Sequence, residues 1–172
     1  MRWQSVTTIL ANLYLVVGKP ISVGDYKVNR LTAIDNADSF CLFLPPEPGL
    51  TIGEHEDDAV VFCTKSNAAA PKANLLPQGF IRSAHFSQTN SYVQVTGKMN
   101  PSAYQLSTGD GGGQFDNRGA PPNSGCNNYT YFVSLIEPDI GTYCIRCCNE
   151  KDDCNMGLST AGCAAVIPGD YS

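Results

Sequence analysis

The sequence predicts a mainly β domain, an antiparallel sandwich or small barrel with long loops and a disulfide-stapled C-terminal segment. Three observations carry that prediction. Short runs rich in β-branched and aromatic residues recur between clusters of Gly, Pro, Asn and Asp. No stretch sustains the 3.6-residue apolar period of a long amphipathic helix. Five of the eight cysteines lie between Cys144 and Cys163.

In chain order the strand-like runs are residues 40–44, 59–64, 80–86, 92–96, 129–136, 142–148 and 164–167. The clearest alternation is in 129–136, where Tyr129, Tyr131, Val133 and Leu135 share one face and Thr130, Phe132, Ser134 and Ile136 the other. One face is wholly apolar and the other mixed, which predicts a central strand. In 91–96, Val93 and Val95 oppose Tyr92, Gln94 and Thr96, the pattern of a sheet wet on one side. Asn100 followed by Pro101 reads as the start of a short helix reaching Leu106. Between these runs, 45–49 holds three prolines and cannot be a central strand. The segments 66–78 and 107–126 read as long loops of one bridged unit, of a length that is often functional.

A chain of 172 residues is long enough for one domain with a genuine core. Residues 1–24 are expected to be a signal peptide or disordered leader: Arg2 supplies one cation, and an apolar stretch from Val6 to Val17 follows, too short for an ordinary membrane span. Residues 25–172 then form a single disulfide-bonded β domain. The formal net charge of -5 contains no run of Lys or Arg, which argues against nucleic acid as a partner. It equally gives no reason to expect attraction to anionic membrane, and membrane insertion is not expected.

The cysteines Cys41, Cys63, Cys126, Cys144, Cys147, Cys148, Cys154 and Cys163 are expected to pair as disulfides. Cys144 and Cys147 have the gap of a zinc knuckle, but no matching second pair accompanies them. Eight cysteines allow about a hundred pairings. If 142–148 is a strand, Cys147 faces one way and Cys144 and Cys148 the other. Cys147 is then expected to reach inward to Cys41, Cys63 or Cys126, while Cys144 and Cys148 clasp the tail through Cys154 and Cys163.

Two polar segments are candidates for chemistry. The glycine-rich stretch 109–119 matches neither phosphate-loop template. Its Asp110, Asp116 and Asn117 are the candidate ligand-binding residues, for calcium through oxygen ligands or for a sugar, with Tyr104 as a stacking partner. The charged run 54–58 places four carboxylates around His55, an array suited to a hard cation but more simply a solvated strand entry. His85 reads as a surface histidine. Asn128 opens the single N-glycosylation sequon, with Tyr129 and Thr130. No metal or cofactor is required, calcium being the one alternative.

No nucleophile motif or catalytic residue can be assigned, and two histidines leave little choice of base. Paired carboxylates for glycoside hydrolysis could come from Glu54, Asp58, Asp110, Asp116, Glu137 or Asp139, and the sequence selects no pair.

The segments 34–41, 53–63, 109–122 and 143–148 resemble those of uncharacterised cysteine-rich proteins that fungi are predicted to secrete. The resemblance covers residues 31–172 and carries no activity. It implies a fungal source, secretion and bridged cysteines. The functional expectation is therefore a secreted, non-catalytic structural or binding protein of the cell wall or extracellular matrix, with polysaccharide or another surface component as ligand. Its alternatives are an extracellular glycan hydrolase and a calcium-stabilised module.

Overall fold

The computed structural model describes residues 30–158 and 160–172, so the expected leader at 1–24 lies outside the described residues. The strands are β1 (Leu31–Thr32), β2 (Ile34–Asn36), β3 (Ser39–Leu44), β4 (Val60–Cys63), β5 (Asn74–Leu75) and β6 (His85–Gln88). They continue with β7 (Tyr92–Lys98), β8 (Gly113–Asp116), β9 (Gly125–Cys126), β10 (Tyr131–Glu137) and β11 (Thr142–Cys148), before one helical turn, α1 (Cys163–Val166). Three 3-10 turns span Gly53–His55, Pro101–Tyr104 and Lys151–Asp153.

A five-stranded antiparallel sheet, ordered β6-β7-β11-β10-β8, is the middle layer. A four-stranded sheet, β2-β3-β4-β5, shares the main core with one of its faces, and β1 pairs with β9 in parallel. The fold is mainly β with two layered sheets, and no barrel closes. The central strand is β11, hydrogen-bonded over its whole length to β7 and β10.

Pleating divides the middle sheet into two environments. Phe115, Phe132, Ile136, Tyr143, Ile145 and Cys147 point to the inner core. There Phe43 of β3 stacks on Phe132 at 5.1 Å and on Phe115 at 5.6 Å, and Phe40 lies 5.7 Å from the Tyr143 ring, nearly parallel to it. Such aromatic pairs add about 0.5–1.5 kcal/mol each beyond the area they bury. On the outer face Val133, Leu135, Cys144 and Cys148 pack under Cys154, Cys163, Val166 and Ile167 of the C-terminal tail.

All eight cysteines are bridged: Cys41 to Cys63, Cys126 to Cys147, Cys144 to Cys163, and Cys148 to Cys154. The first joins directly facing positions of β3 and β4. The other three radiate from β11, one inward and two outward, as the alternation of that strand requires.

Several expectations are corrected. The run 164–167 lies largely within α1 and forms no strand: the turn buries Val166 and Ile167 while Ala164 and Ala165 stay exposed, and Gly162 at φ 76° sets the abrupt entry. The run 80–86 contributes only the start of β6. Phe80 is buried behind a turn onto Pro77, and the amides of Arg82 and Ser83 both donate to the Lys98 carbonyl. Part of the glycine-rich loop forms the edge strand β8. Gly112, at φ 90°, has no room for a Cβ against the Ile136 carbonyl. The face of β7 expected to be wet is dry: Gln94 and Thr96 are buried beneath the tail.

The two outer bridges close loops of unequal length, 19 residues for Cys144–Cys163 and 6 for Cys148–Cys154. Replacing Cys144 and Cys163 together by Ala should therefore cost about 3 kcal/mol, against about 2 kcal/mol for Cys148 and Cys154. Urea unfolding of the two double variants checks the order, and equal or reversed losses would contradict the clasp described here.

Candidate functional site

Each of the four residues expected to bind a ligand makes hydrogen bonds within the fold. Asp110 accepts the Ile52 amide at 2.8 Å on Oδ2 and the Gly112 amide at 2.9 Å on Oδ1. Asp116 accepts the Arg118 amide at 2.7 Å and the Gln114 side-chain amide at 2.8 Å. Asn117 clamps β10 from the side, donating to the Thr130 carbonyl at 2.9 Å and accepting from the Phe132 amide at 3.1 Å. Tyr104 is buried edge-on against Phe62 and donates to the Pro45 carbonyl at 2.9 Å, and burial pushes its hydroxyl up to about 12. These side chains are engaged in shaping turns and docking loops.

The charged run 54–58 enters β4 through the 3-10 turn Gly53–His55. Its members also turn to local partners. Glu54 accepts the Thr51 hydroxyl at 2.7 Å, Glu56 accepts the Gln114 amide of β8 at 2.8 Å, and Asp58 lies 3.1 Å from Nδ1 of His55. Among the described residues no group of three or more His, Cys, Asp or Glu side chains is gathered as a metal site.

One constellation was invisible in the sequence. His85 of β6 has Nδ1 3.5 Å from Asp170 Oδ2 and Nε2 3.5 Å from the Ser172 hydroxyl, the order of groups in a Ser-His-Asp triad. The geometry is not that of an activated nucleophile. Nε2 is nearer the Ser172 main-chain oxygen, at 3.1 Å, and Asp170 and Ser172 are both exposed. No signal short of the folded tail position could have paired residue 85 with residues 170 and 172.

Beneath the tail lies the most unusual electrostatic feature. Arg146 of β11 is nearly buried, with Nε donating to Gln94 Oε1 and Nη1 to the Asp153 carbonyl, each at 2.8 Å. Its guanidinium carbon stands 4.2 Å from the centre of the Tyr92 ring. Burial lowers its proton affinity, and Tyr92, Asp153 and Tyr171 act against that. The ion pairs among the described residues are those of the two histidines, so Arg146 is held by dipoles and an aromatic face. Two rows along, Glu137 accepts the Cys163 amide at 3.0 Å, fixing the first residue of α1.

A shallow groove of about 240 Å³ opens beside the Cys148–Cys154 loop, lined by Lys151, Asp152, Cys154, Asn155, Met156 and Leu158. It contains one carboxyl group, whereas hydrolysis by paired carboxylates needs two facing each other. Asn128 stands exposed at a turn with φ 64°, and Thr130 of its sequon is exposed as well.

Two curated proteins of the fungus Mycosarcoma maydis are similar to this chain. Appressorium protein ROW1 is 32% identical over 156 residues, which is 80% of this chain and 36% of ROW1. Appressorium protein ROW2 is 37% identical over 164 residues, which is 80% of this chain and 53% of ROW2. The chain thus spans about a third of one relative and about half of the other. No family model matches the sequence, and no solved structure matches the fold.

Glu137 offers a test of how the tail is seated. Burial, the main cause, and nearby Asp139 raise its carboxyl above the usual range, against the Cys163 amide and Lys98. A carboxyl whose folded-state pKa is raised contributes stability below its unfolded value and loses it as pH rises through the folded value. Glu137→Gln keeps an oxygen for the Cys163 amide and removes the charge. It should raise the melting temperature at pH ~7 and leave it unchanged near pH ~3, where the wild-type carboxyl is protonated. A lower melting temperature at neutral pH would show that the charge itself seats α1.

Proposed function

We propose that this chain is a fungal, non-catalytic, disulfide-bonded module that works outside the cell, at the wall or in the surrounding matrix, as a structural or glycan-binding element. The observation that carries the reading is the deployment of its polar side chains. The side chains of Glu56, Asp110, Asn117 and Glu137 are bonded to main-chain groups that hold loops in place.

Further observations support it. Four disulfides suit an oxidising compartment. Both relatives bear the name of the appressorium, a fungal structure, and this chain corresponds to part of each. Among the described residues no helix is long and apolar enough to cross a membrane. The exposed sequon at Asn128 gives such a protein a place for an N-linked glycan on the side of the β9–β10 turn. Half-exposed tyrosines, among them Tyr129 and Tyr131, supply faces on which a sugar ring can lie.

The test is retention on insoluble glycans and fungal walls, using protein made through a eukaryotic secretory route. The expected result is retention on at least one wall polysaccharide, weakened several-fold by Tyr131→Ala. Failure to bind every glycan and wall preparation would sink the binding version and leave the structural one.

A further inference from the structure

The middle sheet ends on one side in β6 and on the other in β8. The outward donors of β8 are already taken, since the Gln114 amide donates to Glu56 at 2.8 Å and the Asp116 amide to the Ala120 carbonyl at 2.8 Å. The facing four-stranded sheet ends in β2, three residues long, irregular in register and carrying Asp35, and in β5, two residues long. Short strands, irregular pairing and charge are means by which a sheet edge is kept from joining another. β6, four residues long and regularly paired, lacks these devices. From Ser83 to Gly97 the sequence contains no Asp, Glu, Lys, Arg or Pro.

The hydrogen-bond phase of the hairpin fixes which main-chain groups this edge presents. In an antiparallel ladder, facing residues alternate between pairs that exchange hydrogen bonds and pairs that do not. The Thr89 amide donates to the Tyr92 carbonyl at 2.9 Å, so the bonded pairs in step with it are Ser87 with Gln94 and His85 with Thr96. The other side of β7 agrees. Met99 donates to the Gly141 carbonyl at 2.9 Å and Asn149 to the Ser91 carbonyl at 2.8 Å, so the odd-numbered residues of β7 bond to β11 and the even-numbered ones to β6. Phe86 and Gln88 therefore turn both N–H and C=O away from β7, and among the described residues these groups meet no main-chain partner.

We propose that β6 is a docking edge for a second copy of this chain, the two β6 strands pairing antiparallel about a two-fold axis at Ser87, so that the middle sheet runs on from one copy into the other. In that register Phe86 of each copy faces Gln88 of the other, and every outward N–H of these residues meets an outward carbonyl. A two-fold axis thus makes the edge its own complement. Charge selects the same occupant. Two copies each carrying a formal net charge of -5 repel one another, and at this edge no Asp, Glu, Lys or Arg is set against its like. Phe86 is half-buried against the main core, so pairing also removes apolar surface from water. The inference is independent of any glycan-binding role.

Sedimentation velocity of the full chain at rising concentration tests it, with hydrogen exchange of the Phe86 and Gln88 amides read on the same samples. A monomer–dimer equilibrium is expected, both amides exchanging more slowly as the dimer forms. Ser87 is exposed, and Ser87→Lys and Ser87→Glu should each raise the dimer dissociation constant about five-fold, because like charges then face each other at the axis. An equimolar mixture of the two variants should reverse that loss. Gln88→Pro removes an outward donor from each copy and should raise the constant about ten-fold or more. The charged variants carry the test if the proline variant does not fold. A chain monomeric at every concentration up to about 1 mM, a dimer indifferent to these substitutions, or a mixture that pairs no better than its separate variants would overturn the proposal.

Discussion

The pleat of one strand governs this molecule. Successive side chains of Thr142–Cys148 must point to opposite faces, so Tyr143, Ile145 and Cys147 enter the inner core while Cys144, Arg146 and Cys148 leave it on the other side. Its edges are taken by β7 and β10 and its faces are covered by the inner core and the tail, so the adjacent Cys147 and Cys148 go to different partners. The inward bridge ties β11 to Cys126 at the end of the long loop that precedes β10, and the outward pair ties it to the tail. Strand β9 and the tail are thereby fastened to one strand.

The outer layer explains how a sheet face carrying Gln94, Thr96 and Arg146 can be buried at all. Buried polar groups are costly unless hydrogen-bonded. Here the main-chain carbonyls of Asp153, Pro168 and Asp170 receive them, and Tyr92 offers its ring to the guanidinium. A tail held by its own carbonyl groups is sensitive to geometry more than to sequence. The acidic side chains follow the same logic elsewhere, since Glu56, Asp110 and Asp116 accept main-chain amides that a loop would otherwise leave unpaired. An excess of carboxylates in this chain is a means of holding irregular backbone.

The sequence makes the long strands legible because alternation over six or seven residues is hard to mistake: β7, β10 and β11 are readable directly, and with β11 comes the direction of each cysteine. Strands of two or three residues, such as β1, β2, β5 and β9, carry no period to read. The run 164–167 is apolar without a period and folds as a helical turn where a strand was expected. Gln94 and Thr96 read as wet because nothing in their own strand announces a tail arriving from some seventy residues away. The same distance hides the pairing of His85 with Asp170. The polar loop residues Asp110, Asp116 and Asn117 are legible as important, but their chemistry is local, and only the folded loops show which amides they meet.

A rigid bridged module corresponding to part of two appressorium proteins is what these constraints produce, and its surface properties depend on whether the tail is fastened as described. Partial reduction with stepwise alkylation, followed by mass spectrometry, tests that most directly, because it reads the partners of Cys147 and Cys148 separately. The expected partners are Cys126 for Cys147, Cys154 for Cys148 and Cys163 for Cys144. A Cys147 bridged to Cys154 or Cys163, or a free thiol at any of these positions, would contradict it.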